Sequence, residues 1–188
     1  NPYPRRTMEL AQTHGQTLAT AVESALQTHL RRLTGPIRAA YREIPLAYDT
    51  LPTKEKLLEE QQSKDKWLST HATRVLDRIE KEGPLPISYP YPVQVLRLGN
   101  DLTWVTLGGE VVIDYALRFK ADIQDPIVWV SGYTNDVMAY IPSLRIWKEG
   151  GYEGGGAMIY GSHPTRWSEK TEEHITTTVM ELRKSLNP

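Results

Sequence analysis

The sequence predicts an α/β fold: a layered domain with a mixed sheet flanked by helices. Two observations carry that expectation. Apolar residues recur at helical spacing towards both ends of the chain, and between them β-rich runs alternate with shorter helical patterns. A third, the hairpin signal Gly99-Asn100-Asp101, makes the sheet mixed, because a tight turn can join only antiparallel strands.

Taken in order, residues 7–33 carry a helical stripe (Ala11, Leu18, Val22, Ala25, Leu33) that Gly35-Pro36 stops. Residues 37–48 alternate loosely and read as one extended segment, placed at a sheet edge by Pro45, which cannot donate to a ladder. A second helix is predicted over 53–82, burying Leu68, Ala72, Val75, Leu76 and Ile79 and ending at Gly83-Pro84. The charges between Lys54 and Lys66 read as its solvated face. Pro84, Pro86, Pro90 and Pro92 bracket an extended lead-in over 85–91, and 93–98 and 102–107 are the two strands of the hairpin. Gly108-Gly109-Glu110 then leads into helical spacing at Val112, Tyr115, Ala116 and Phe119. The unbroken apolar run 127–130 is expected to be a strand buried on both faces. A short apolar run follows at 137–141, and Pro142-Ser143 opens a helix reaching Glu149, which Gly150-Gly151 stops. Gly154-Gly155-Gly156 leads into 157–160, and a last helix, with Ser168 as its N-cap, buries Ile175, Val179, Leu182 and Leu186.

A chain of 188 residues fits a single domain or fragment, mainly helical over 1–83 with one extended segment and α/β over 84–188. Lys+Arg 22 against Asp+Glu 23 gives a net charge of -1, so nucleic acid and anionic membranes have no electrostatic support as partners. With no cysteine, disulfide frameworks and thiolate metal sites are excluded. No run approaches the ~18 to 20 apolar residues of a transmembrane segment, and none reads as a signal peptide. The opening Asn1-Pro2-Tyr3-Pro4 reads as the middle of an extended loop, as if cut from a longer chain by processing or by design; removal of an initiator Met or an added tag is the plainer alternative.

The residues with chemical potential cluster between Gly108 and Gly161. Glu110 follows two glycines at the carboxyl end of a predicted strand, where ligands collect in open α/β sheets; the plainer role is stabilising a helix N-terminus. Tyr133, Asn135, Asp136 and Tyr140 follow a second strand end, although the plainer reading of Tyr140 is a core tyrosine with a satisfied hydroxyl. The glycine-rich stretch 150–161 suits close backbone approach but lacks the Gly-Lys-Ser/Thr ending of a phosphate loop. His14, His29, His71, His163 and His174 show no His-Glu-x-x-His spacing and read as surface or helix-packing residues, and no Gly-x-Ser-x-Gly elbow occurs. Trp129, Trp147, Trp167 and the tyrosines suit either a sugar-binding platform or ordinary packing.

Three ordered motifs nevertheless stand together: Leu107-Gly108-Gly109-Glu110, then Gly132-Tyr133-Thr134-Asn135 through Tyr140-Ile141, then Gly151-Tyr152-Glu153-Gly154 to Ile159-Tyr160-Gly161. In that order they resemble the neutral/alkaline (non-lysosomal) ceramidases, above all the shorter bacterial ceramidase-like proteins. Asn1-Pro2-Tyr3-Pro4-Arg5 and Ser88-Tyr89-Pro90-Tyr91-Pro92-Val93 look like further stretches of the same proteins, so the resemblance spans nearly the whole chain. It implies the later part of an α/β catalytic domain that uses one zinc ion to hydrolyse the amide bond of N-acylsphingosine (ceramide) or a related N-acyl compound, outside the cell or in the periplasm. By resemblance the zinc ligands include Glu110 and Tyr140, and Tyr152 lies beside the metal, hydrogen-bonding the scissile carbonyl or its oxyanion. The two zinc histidines of the family belong ahead of Asn1, in a missing N-terminal part of the domain, so this chain is expected to hold half a metal site and to be inactive alone. It departs from many relatives at Gly108, where they have proline, and at Val137, where they have an aromatic residue facing the lipid. The alternative from another class is a non-catalytic lipid- or glycan-binding module on the same fold.

Overall fold

A computed structural model describes residues 6–186, so the expectations for Asn1-Pro2-Tyr3-Pro4-Arg5 lie outside the described residues. In chain order its elements are α1 (Met8–Leu26), β1 (Ile37–Ala47), α2 (Lys54–Gln61), α3 (Lys66–Glu82), β2 (Ser88–Leu98), β3 (Leu102–Leu107), β4 (Glu110–Val111), α4 (Ile113–Asp122), β5 (Ile127–Ser131), β6 (Tyr140–Ile141), α5 (Leu144–Glu149), a 3-10 helix (Gly156–Tyr160) and α6 (Thr171–Ser185).

The main sheet runs β1-β2-β3-β5 and is flanked by helices. β1–β2 and β2–β3 are antiparallel and β3–β5 is parallel, so the sheet is mixed. The hairpin closes with Leu98 opposite Leu102, and Gly99 supplies the positive φ its turn demands. β1 is an edge strand, as Pro45 requires. β2 starts at Ser88, earlier than the expected 93, and its Pro90 and Pro92 precede Val93, where pairing with β3 begins. They therefore break no second ladder.

One sheet face, with Ile44, Val93, Val95, Val105 and Leu107, packs on Tyr115 and Phe119 of α4 and Ile175, Val179 and Leu182 of α6. Side chains alternate between faces, so the residues between these point the other way. There Ile37, Tyr41 and Trp129 stay exposed. The expectation that 127–130 is buried on both faces is thus corrected: β5 is an edge strand, and Trp129 is 53% exposed.

The chain divides into two compact units after Leu33. In the first, α1 is capped by Thr7 but ends at Leu26, well short of the expected Leu33, and buries none of its residues. Thr28 takes the Ala25 carbonyl with its own hydroxyl (2.7 Å), a local bond that competes with continuing the helix. In the second unit the single helix expected over 53–82 is two. Asp65 breaks it, accepting from the N–H groups of Trp67 and Leu68 as the cap of α3. Leu57 then packs against Ala72 and Val75. Ser168 does not cap α6. The cap position is Lys170, and Ser168 instead donates its N–H to Ala47 O (2.9 Å) in a turn before the helix. Among the described residues no helix is long and apolar enough to cross a membrane.

Candidate functional site

Everything at this site depends on the turn that follows β3. Gly109 lies at φ +67, and an alanine Cβ there would stand 2.6 Å from Ala139 O and 2.8 Å from Ile141 Cγ1. That close approach lets the backbones interlock. Gly109 N–H donates to Asp136 O (2.8 Å), Tyr133 N–H to Gly109 O (2.8 Å) and Glu110 N–H to Ala139 O (2.9 Å). Below the turn, the buried Tyr91 hydroxyl donates to Gly108 O (2.9 Å). β4 and β6 then form a two-residue parallel ladder in which Glu110 is the register partner of Tyr140. Register partners in a parallel pair project to the same side, so a residue 30 positions away becomes Glu110's neighbour.

The Glu110 carboxylate lies close enough to the Tyr133 and Tyr140 phenols for its hydrogen-bonding interaction to be the main cause that raises both of their pKa values. Because that interaction favours the neutral phenol, with desolvation and Coulomb repulsion adding to it, Tyr133 is pushed up to about 12 and Tyr140 is raised as well. Tyr133 holds its pose at φ +54, an uncommon conformation for a residue with a side chain. Glu110 is therefore not a helix cap: α4 has Val112 at its cap with no side-chain bond, and Asp114 is the acidic residue of its first turn.

Tyr152 arrives from the glycine-rich loop, with its ring centroid 5.3 Å from that of Tyr140. The loop is tight for a steric reason: a Cβ on Gly154 would stand 2.3 Å from Gly150 O. Glu110, Tyr140 and Tyr152 line one cavity of about 290 Å³, together with Met138, Met158, Tyr160 and His163. A larger cavity, about 670 Å³, lies between Tyr48, Arg74, Arg78 and Tyr89, with His163 common to both; it holds none of the three motif residues.

His163 and Tyr160 are site residues that sequence reasoning passed over. His163 is buried and bonded at both nitrogens, Nδ1 to Tyr48 Oη (2.7 Å) and Nε2 to Met138 O (3.1 Å). A carbonyl only accepts, so Nε2 carries the proton, and in the neutral ring Nδ1 accepts from Tyr48. Its carbonyl is held by buried His71 (2.7 Å), which thus serves packing, as expected. His29, by contrast, lies beyond the end of α1 and not on a helix.

Burial lowers the His163 pKa, helped by Arg78 and His71 and opposed by the Met138 carbonyl and Asp136. An unfolded histidine takes up its proton near ~6.5 and the folded one only at lower pH, so the unfolded state binds more protons in between. Stability should consequently fall as pH drops below about 6.5. Chemical denaturation from neutral to mildly acidic pH should show this slope in the wild type and a shallower one in His163→Gln; equal slopes would contradict the assignment.

Both His163 nitrogens are engaged, and Glu110 and Tyr140 are the register-paired residues that bring oxygen to this cavity. Among the described residues no group of three or more His, Cys, Asp or Glu side chains could hold a metal ion. A carboxylate and a phenol do fit part of a zinc sphere, which accepts oxygen ligands and usually needs three or four in all. No protein-family model and no curated protein matches the chain.

Proposed function

We propose that this chain is part of a zinc-dependent amide hydrolase acting on N-acylsphingosine or a related N-acyl compound. The carrying observation is the register pairing of Glu110 with Tyr140, with the Tyr152 ring beside it in the same cavity. This gives the three residues singled out by the ceramidase resemblance a common location. When bound, zinc supplies a water ionised near pH ~7 and a Lewis acid for the amide carbonyl.

In this reading Glu110 and Tyr140 hold the cation through oxygen, and histidines outside the chain complete the sphere. Tyr140 on its own stays protonated, since Glu110 raises its pKa; only a neighbouring cation reverses that balance. Tyr133, whose pKa Glu110 raises, stands beside the carboxylate and helps to orient it. Tyr152 donates to the carbonyl oxygen as negative charge develops there. The other reading, a lipid- or glycan-binding module, is favoured by the exposed Tyr152 and Tyr160 rings and requires no turnover.

Turnover and zinc content of Tyr140→Phe and Tyr152→Phe proteins separate the two readings. The chain by itself should retain no stoichiometric zinc after dialysis against a mild chelator, because two oxygens make a poor site. Elemental analysis checks this, and one zinc per chain would contradict the half-site.

A further inference from the structure

Aromatic rings extend from the cavity across the surface. From Tyr140 the centroids step 5.3 Å to Tyr152, 5.9 Å to Tyr160 and 4.9 Å to Trp67 in the first turn of α3. Tyr152, Tyr160 and Trp67 are 49%, 44% and 54% exposed. Rings that serve this protein's core look different: Tyr91, Tyr115 and Trp167 are almost fully buried, and each donates its polar hydrogen to a backbone carbonyl. The ladder is also held in place. Arg74 of α3 donates to the carbonyls of Tyr160 (3.0 Å) and Gly161 (3.1 Å), tying the 3-10 helix to the helix that carries Trp67. Such fixing lowers the ordering cost of binding.

The kind of ligand follows from shape. At about 290 Å³ the cavity is near the lower end of the roughly 300–1,000 Å³ of small-molecule sites, so it suits one compact group. Anything longer must run on past the half-exposed rings of Tyr152, Tyr160 and Trp67, which stand tilted or edge-on to one another. An alkyl chain there would leave half its surface in water and forfeit much of its hydrophobic gain. A sugar ring has an apolar C–H face for an aromatic side chain and hydroxyl edges that prefer water, which matches half-exposed rings.

We propose that the Tyr152–Tyr160–Trp67 ladder is a carbohydrate subsite, carrying the sugar rings next to an N-acylated amino sugar whose amide lies at Glu110 and Tyr140. The amide's place rests on the amide-hydrolase reading; the ladder's role does not. N-acetylchitotetraose titrated into the 188-residue chain, followed by calorimetry and tryptophan fluorescence, is the test. Saturable binding is expected. Trp67→Ala and Tyr160→Ala should each weaken it about tenfold or more, an ordinary cost for truncating an aromatic anchor. Trp67→Phe should keep most of the affinity, and Trp129→Ala, outside the ladder, all of it. Circular dichroism establishes that each variant is folded. No saturable binding by the wild type overturns the proposal, as does binding indifferent to both alanine variants. Capture of N-acylsphingosine micelles that Trp67→Ala abolishes, without tetraose binding, gives the ladder to alkyl chains and likewise overturns it. Ladder-dependent tetraose binding by a protein that turns over no N-acyl substrate, even when zinc-loaded, upholds the subsite while removing the hydrolase reading.

Discussion

Gly109→Ala should lower the unfolding midpoint by on the order of 10 °C and displace Glu110. Two costs add at this position. A side chain at φ +67 costs about 1–2 kcal/mol, and forcing a Cβ to 2.6 Å from Ala139 O and 2.8 Å from Ile141 Cγ1 adds an overpacking cost of about 1–3 kcal/mol. For a chain this size each kcal/mol shifts the midpoint by roughly 2–4 °C. Gly151→Ala is the comparison without the clash, because Gly151 also has positive φ (+71) but nothing within 4 Å of an added Cβ. Thermal unfolding of the two variants should therefore differ by the steric part alone. Equal midpoints would mean that the turn does not press on the loop carrying Tyr140.

The second large effect is chemical, and it separates ligand from stabiliser. On the zinc-hydrolase proposal, and in a zinc-loaded protein that contains this chain, Tyr140→Phe deletes a metal oxygen. Zinc affinity should drop, and added zinc should restore part of the lost activity. Tyr152→Phe deletes only a donor beside the reacting carbonyl. Zinc content and KM should stay close to wild type while kcat falls on the order of 10²-fold, about 3 kcal/mol of transition-state stabilisation. If both rings merely pack, phenylalanine serves as well as tyrosine and neither quantity moves.

How far the fold was legible depended on the length of each signal. The hairpin at Gly99, the edge position forced by Pro45 and the α4 stripe through Tyr115 and Phe119 are strong local patterns, and the structure contains each. The break between α2 and α3 was hidden, because a single Asp65 cap outweighed an otherwise helical charge pattern. An apolar run at 127–130 also cannot reveal which of its faces is covered, and Trp129 lies on the exposed one.

At the site, glycine spacing and the strand end marked Glu110, but not what stands beside it. Two-residue strands carry no periodicity, so the β4–β6 ladder that pairs Glu110 with Tyr140 is a tertiary fact. His163 was passed over for a similar reason. Its bonds reach Tyr48 and Met138, 115 and 25 positions away, and no local motif encodes them.

Tyr152→Phe, assayed for bound zinc and for kcat on one N-acyl substrate in the same preparation, tests the central claim most directly. The account predicts full zinc occupancy with kcat reduced on the order of 10²-fold. Full occupancy with wild-type kcat would contradict it and remove Tyr152 from the proposed chemistry.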